Sequence, residues 1–91
     1  MNQRARIIVK GIVQGVYFRD STRRKAVDLH VTGIVRNRPD GTVEIVCEGP
    51  EEAIKGLIEW CGHGPRGAFV EGLEITWGTC TAEFRDFRIV Y

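Results

Sequence analysis

The sequence predicts an α+β fold, a βαββαβ sandwich of ferredoxin-like type. It has an antiparallel sheet with two helices on one face, plus a short C-terminal strand. Three observations lead there. β-Branched stretches alternate with helical ones in the order strand, helix, strand, strand, helix, strand. An Asp-Gly turn joins the two middle strands. The 91 residues, 43% hydrophobic and 27% charged, suffice for one core and one domain over 1–91.

Arg6 to Val13 reads as the first strand, with Ile7, Val9, Gly11 and Val13 on its buried face. Ile8 and Ile12 make the second face partly apolar, as in a central strand. The first helix is expected from about Ser21 to Leu29, with Ala26 and Leu29 as core positions, Val27 or Val31 flanking, and Arg23, Arg24 and Lys25 solvated. Gly33 opens the second strand, Ile34 to Arg38, and Pro39-Asp40-Gly41 turns the chain into the third, Thr42 to Glu48. Gly49-Pro50-Glu51-Glu52 starts a second helix, with proline in the first turn and two carboxylates at the positive end. That helix runs to about Cys61 and ends in the glycine-rich stretch Gly62 to Gly67. Phe69 to Trp77 is the fourth strand, Gly78-Thr79-Cys80 is irregular, and Phe84 to Tyr91 is the last strand with Phe87, Ile89 and Tyr91 in phase.

The stretch Gly11 to Thr22 carries the most chemistry. A strand, a glycine-containing turn and a helix start place several backbone N–H groups on one concave side, where they can converge on a phosphate or carboxylate. Arg19 adds a planar fork able to bond two oxygens of a tetrahedral anion. A plain turn beside a solvated arginine fits the same residues. Asn37, just before a turn, reads either as an asparagine bonding its own backbone or as a polar site residue. Asp20 reads as a helix cap in preference to a general base.

Composition limits the remaining choices. Thirteen basic and twelve acidic residues give a net charge of +1, so no broad field favours nucleic acid or an anionic membrane. No apolar stretch approaches a spanning helix, and Met1 to Arg4 lacks the apolar segment of a secretory signal, so the cytoplasm is the expected compartment. Cys47, Cys61 and Cys80 are odd in number and unrelated in spacing. They read as reduced thiols, the first two as small core hydrophobes. His30 and His63 stand apart from any metal-ligand constellation, Trp60 and Trp77 read as packing residues, and no metal or other cofactor is expected.

Val13-Gln14-Gly15-Val16-Tyr17-Phe18-Arg19, with Gly11 before it and Thr22 after it, resembles the first signature of the small acylphosphatase family. Gly33, Asn37, Gly41, Val43 and Gly49 resemble the second. Weaker similarity through Gly64-Pro65, Ala68, Val70 and Phe87-x-Ile89-x-Tyr91 extends the likeness over essentially the whole chain. The resemblance implies the same fold and metal-independent hydrolysis of acyl phosphates to a carboxylate and inorganic phosphate. It implies that Arg19 binds phosphate with the amides of Gly15, Val16, Tyr17, Phe18 and Arg19, and that Asn37 orients the attacking water. Three residues depart from the family pattern: Tyr17 where many members carry glycine or phenylalanine, Ile34 where an aromatic is common, and His30 where glycine usually follows the first helix.

Arg19 and Asn37 are enough for this chemistry because an acyl phosphate has a good leaving group: the task is to hold the phosphoryl group and place water in line. The expected partners are therefore small acyl phosphates, with no nucleic acid or membrane, and the expected state is a monomer. The alternative is a non-catalytic anion- or RNA-binding module on the same fold. Thr42 to Glu48 contains none of the stacking aromatics an RNA-recognition sheet needs.

Overall fold

A computed structural model describes residues 2–91. The elements follow the order β1 (Asn2–Ile12), α1 (Phe18–Asp28), β2 (Thr32–Asn37), β3 (Val43–Pro50), α2 (Glu51–Cys61), β4 (Phe69–Thr79) and β5 (Phe87–Ile89). The strands form one sheet in the order β4-β1-β3-β2-β5. The first four are antiparallel neighbours, while β5 joins the edge of β2 in parallel, so the sheet is mixed.

Alternation along the strands decides what each face does. Ala5, Ile7 and Val9 of β1, Val35 of β2, and Val43, Ile45 and Cys47 of β3 point to one side, where Phe18 and Ala26 of α1 and Ile54, Leu57 and Cys61 of α2 close a single core. On the other face charges pair across strands. Arg6 Nε and Arg36 Nε each donate to Glu44 at 2.6 Å, tying β1 to β3 to β2. This polar face also explains why β1 begins earlier than its apolar pattern suggested: Arg4 is held by Glu48 rather than by burial in the core.

Cys47 and Cys61 are core residues and all three cysteines are free thiols. Burial pushes the Cys47 thiol up to about 12, so it stays protonated and inert.

Five local expectations need correction. Gly78 and Thr79, expected to be irregular, extend β4 opposite Arg4 and Gln3. α1 starts at Phe18, three residues ahead of Ser21, because Phe18 must be buried. Its ring packs 5.4 Å from that of Trp60, and Phe18, Thr22 and Ala26 form the helix's buried stripe. Asp20 consequently sits inside the first turn and caps nothing. Ile12 is 63% exposed, since the β1–β3 ladder has already ended at Val9. The last strand is confined to Phe87–Ile89; Phe87 is buried, but Tyr91 leaves the core entirely and is 97% exposed.

His30 does take the glycine-like geometry. With φ at 59° it lets its own N–H reach Val27 O at 3.1 Å and the Val31 N–H reach Ala26 O at 2.9 Å, closing the helix end.

Candidate active site

The site begins where β1 stops being an ordinary strand. The β1–β4 register shifts between Lys10 and Gly11. Gly11 has φ 129°, and a Cβ there would lie 2.1 Å from Phe69 O, so only glycine allows the chain to bend at this point. Val13 is buried and fixes the start of the loop; Gly15, at φ 75°, turns it. Tyr17 then occupies the left-handed region at φ 61° and ψ 26° as the N-cap of α1.

The turn leaves a helix N-terminus open. α1 has no side-chain cap, and among the described residues the N–H groups of Gly15, Val16 and Tyr17 have no protein acceptor. Unpaired amides and the positive end of the helix dipole make a receptor for negative charge. Arg19 stands in the first turn of α1. No carboxylate pairs with it among the described residues, and its guanidinium carbon lies 5.1 Å from the centroid of the Tyr91 ring.

Asn37 is the last residue of β2, opposite Val43. Its Oδ1 is buried and has no hydrogen-bond partner. The turn that follows is closed without it: Asp40 Oδ1 accepts from the Thr42 N–H at 3.0 Å and from the Thr42 hydroxyl at 2.6 Å, and these bonds hold the Asp40 carboxyl below its usual range. The asparagine is thus not spent on its own turn. A buried acceptor left unpaired is costly in a folded protein, which makes Asn37 a candidate site residue.

Arg19 and Asn37 line the same cavity of about 410 Å³, together with Gly15, Tyr17 and Phe18. Of the loop residues singled out in the sequence, Val16 alone lies outside this lining; its side chain packs against the core. Phe18 is almost wholly buried.

Sequence reasoning gave Ile89 and Tyr91 no place in the site, kept Val13 as a motif residue and set Asp20 aside as a cap. Val13, Asp20, Ile89 and Tyr91 complete the lining. Asp20 is within 3.3 Å of Arg24 Nε, one turn along the same helix. Tyr91 carried a signal, its phase with Phe87 and Ile89, but that phase pointed to the core rather than the cavity. Gln14 was visible only as part of a motif: its side-chain amide donates to Arg38 O at 2.8 Å and Thr42 O at 2.9 Å. No group of three or more His, Cys, Asp or Glu is placed to hold a metal ion among the described residues.

Comparison with known proteins follows the same lines. A family model described as acylphosphatase matches residues 5–89. An acylphosphatase of Syntrophus aciditrophicus is 50% identical over 91 residues, covering 100% of this chain and 95% of that protein. One from Pyrobaculum islandicum is 52% identical over 90 residues, covering 98% of this chain and 95% of that protein. Among solved structures, the acylphosphatase of Bacillus subtilis superposes with a TM-score of 0.95 at 38% identity, each chain covered in full.

Proposed function

Given that the chain belongs to the acylphosphatase family and is an acylphosphatase, a hydrolase of acid anhydrides, we infer that Arg19 and the loop amides hold the phosphoryl group while Asn37 places the attacking water. One observation carries the assignment: an arginine and a buried asparagine acceptor, neither with a side-chain polar partner among the described residues, line a single cavity.

The amides of Gly15 to Arg19 and the Arg19 fork meet the equatorial phosphoryl oxygens, where charge is held as the bond to the acyl oxygen breaks. Water donates one hydrogen to Asn37 Oδ1, which fixes the direction of its lone pair toward phosphorus. The water oxygen bonds to phosphorus, the phosphorus–acyl oxygen bond breaks, and the carboxylate leaves with the electron pair. The water proton passes to a phosphate oxygen. Asn37 thus supplies orientation and little basicity.

On the same reading, residues 1–91 work as one domain, a cytoplasmic monomer acting on small acyl phosphates without metal, nucleic acid or membrane. Phosphate release from acetyl phosphate in the presence of chelator tests the activity; release no faster than the spontaneous rate would leave a binding module instead. Asn37→Ala tests the division of labour. Turnover is expected to fall about 10²-fold while the inhibition constant for inorganic phosphate changes little. Lost phosphate binding would move Asn37 into the cradle.

A further inference from the structure

The two halves of the site hang from strands that do not touch. The cradle follows β1 and Asn37 ends β2, with β3 between them, so two strand spacings, roughly 10 Å, separate their supports. The β1–β3 ladder ends at Val9 opposite Val43, and Val43 is also the partner of Asn37. Beyond that point the chain leading into the cradle is paired only with β4, on the side away from Asn37, through Gly11 with Val70 and Ile12 with Phe69. The ladder therefore does not fix the distance between cradle and water site.

Gln14 spans this gap. Its Nε2 donates both hydrogens to main-chain carbonyls of the β2–β3 hairpin, Arg38 O at 2.8 Å and Thr42 O at 2.9 Å. Arg38 is the neighbour of Asn37, and Thr42 O already receives the Arg38 N–H at 2.8 Å, so the amide grips the hairpin at its closing bond. Among the described residues no other side chain hydrogen-bonds the loop to the hairpin.

We propose that Gln14 is a positioning residue that sets the cradle at the correct distance from Asn37. This rests on the roles given above to Arg19 and Asn37. The chemistry selects glutamine: glutamate has the same shape without the two donors, leucine has neither donors nor acceptors, and asparagine is one methylene too short to span the gap.

Gln14→Leu and Gln14→Glu are compared with wild type for kcat, KM and inhibition by inorganic phosphate, each also in an Asn37→Ala background. Misplacement by about 1 Å costs up to roughly 10²-fold in rate, so kcat is expected to fall tenfold or more. The phosphate inhibition constant should stay within about threefold, because the cradle lies within one loop. In the Asn37→Ala background the same change should lower kcat by less than about twofold, since there is no longer a placed water to misalign. A full multiplicative loss in the double variant, or phosphate affinity falling as far as kcat, overturns the proposal. Gln14→Glu keeps the side-chain volume and decides the matter if Gln14→Leu does not fold. Single variants at Arg19 and Asn37 that keep wild-type turnover would instead sink the underlying assignment, whatever Gln14 does.

Discussion

The two ends of α1 are built on the same unusual backbone and put to different uses. Tyr17 before the helix and His30 after it both have φ near +60°, a region that L-residues other than asparagine, aspartate and histidine seldom enter. At the His30 end the left-handed residue folds the chain back so that carbonyls of the last turn are met by the N–H groups of Leu29, His30 and Val31. At the Tyr17 end, among the described residues, the N–H groups of Gly15, Val16 and Tyr17 have no protein acceptor and Arg19 pairs with no carboxylate. One end is closed by its own carbonyls, and at the other the described residues offer the amides no acceptor. The same contrast separates Glu48 from Asn37 at opposite ends of the β3 neighbourhood. The Glu48 carboxylate, 3% exposed, takes bonds from Arg4, from the amides of Thr81 and Ala82, and from the Thr81 hydroxyl, whereas Asn37 Oδ1 takes none.

The largest effect should come from the open end. Arg19→Lys keeps the positive charge but loses the planar fork, and is expected to cost about 3 kcal/mol or more in transition-state stabilisation, read as a fall of about 10²-fold or more in kcat/KM. Thermal stability should change little, because among the described residues the guanidinium makes no hydrogen bond or salt bridge and lies against the exposed Tyr91 ring. Near-normal phosphate release would show that the open amides and their arginine do not form the anion site.

The closed region should respond in the opposite sense, in stability rather than rate. Burial raises the Glu48 carboxyl, but the Thr81 amide, Arg4, Cys80 and the Thr81 hydroxyl outweigh it and hold the group at about 2. A folded-state value below the unfolded one gives stability that is complete above about pH 5 and lost as pH falls toward 2. Glu44 is shifted the same way: burial raises it, and Arg6 and Arg36 outweigh that. Glu48→Gln should therefore cost about 2 kcal/mol at pH 7 and flatten the decline in urea midpoint between pH 5 and pH 3. An unchanged midpoint, or an unchanged acid slope, would mean that the cluster contributes nothing net.

The contrast also explains what the sequence made legible. Strands and helices were readable because burial repeats with a period: Ile7 and Val9, Val43 and Ile45, and Ile54, Leu57 and Cys61 all fall on the core face their spacing predicts. That Arg19, Asn37 and most of the loop share one cavity was readable because motif spacing carried them. Phe18 was misplaced because a helix start was sought in a capping side chain, and α1 has none; the buried ring sets the boundary instead. Gln14 and Tyr91 escaped because their positions depend on which strands lie side by side. Nothing local in the sequence says that a glutamine after β1 meets carbonyls 24 and 28 residues away, or that the last residue lies over Arg19.

The smallest effect compares the two ends of α1 directly. An L-residue in the left-handed region costs about 1–2 kcal/mol, and replacing it with glycine recovers this less roughly 0.5–1 kcal/mol of added freedom in the unfolded chain. His30 is exposed, and among the described residues its side chain makes no hydrogen bond, so His30→Gly loses nothing else and should stabilise by about 0.5–1 kcal/mol. For a chain of this length that is a rise of a few degrees in Tm, with kcat/KM unchanged within about twofold. Tyr17→Gly relieves the same backbone strain, and its 83% exposed ring gives up little packing, so the stability gain should be similar. Its activity should not be unchanged, because Tyr17 lines the cavity that holds Arg19 and Asn37. Equal gains in Tm with a change in kcat/KM only for Tyr17→Gly would separate a strained residue kept by function from one merely tolerated; equal kinetics for both would show that the left-handed tyrosine, like the histidine, serves the helix end alone.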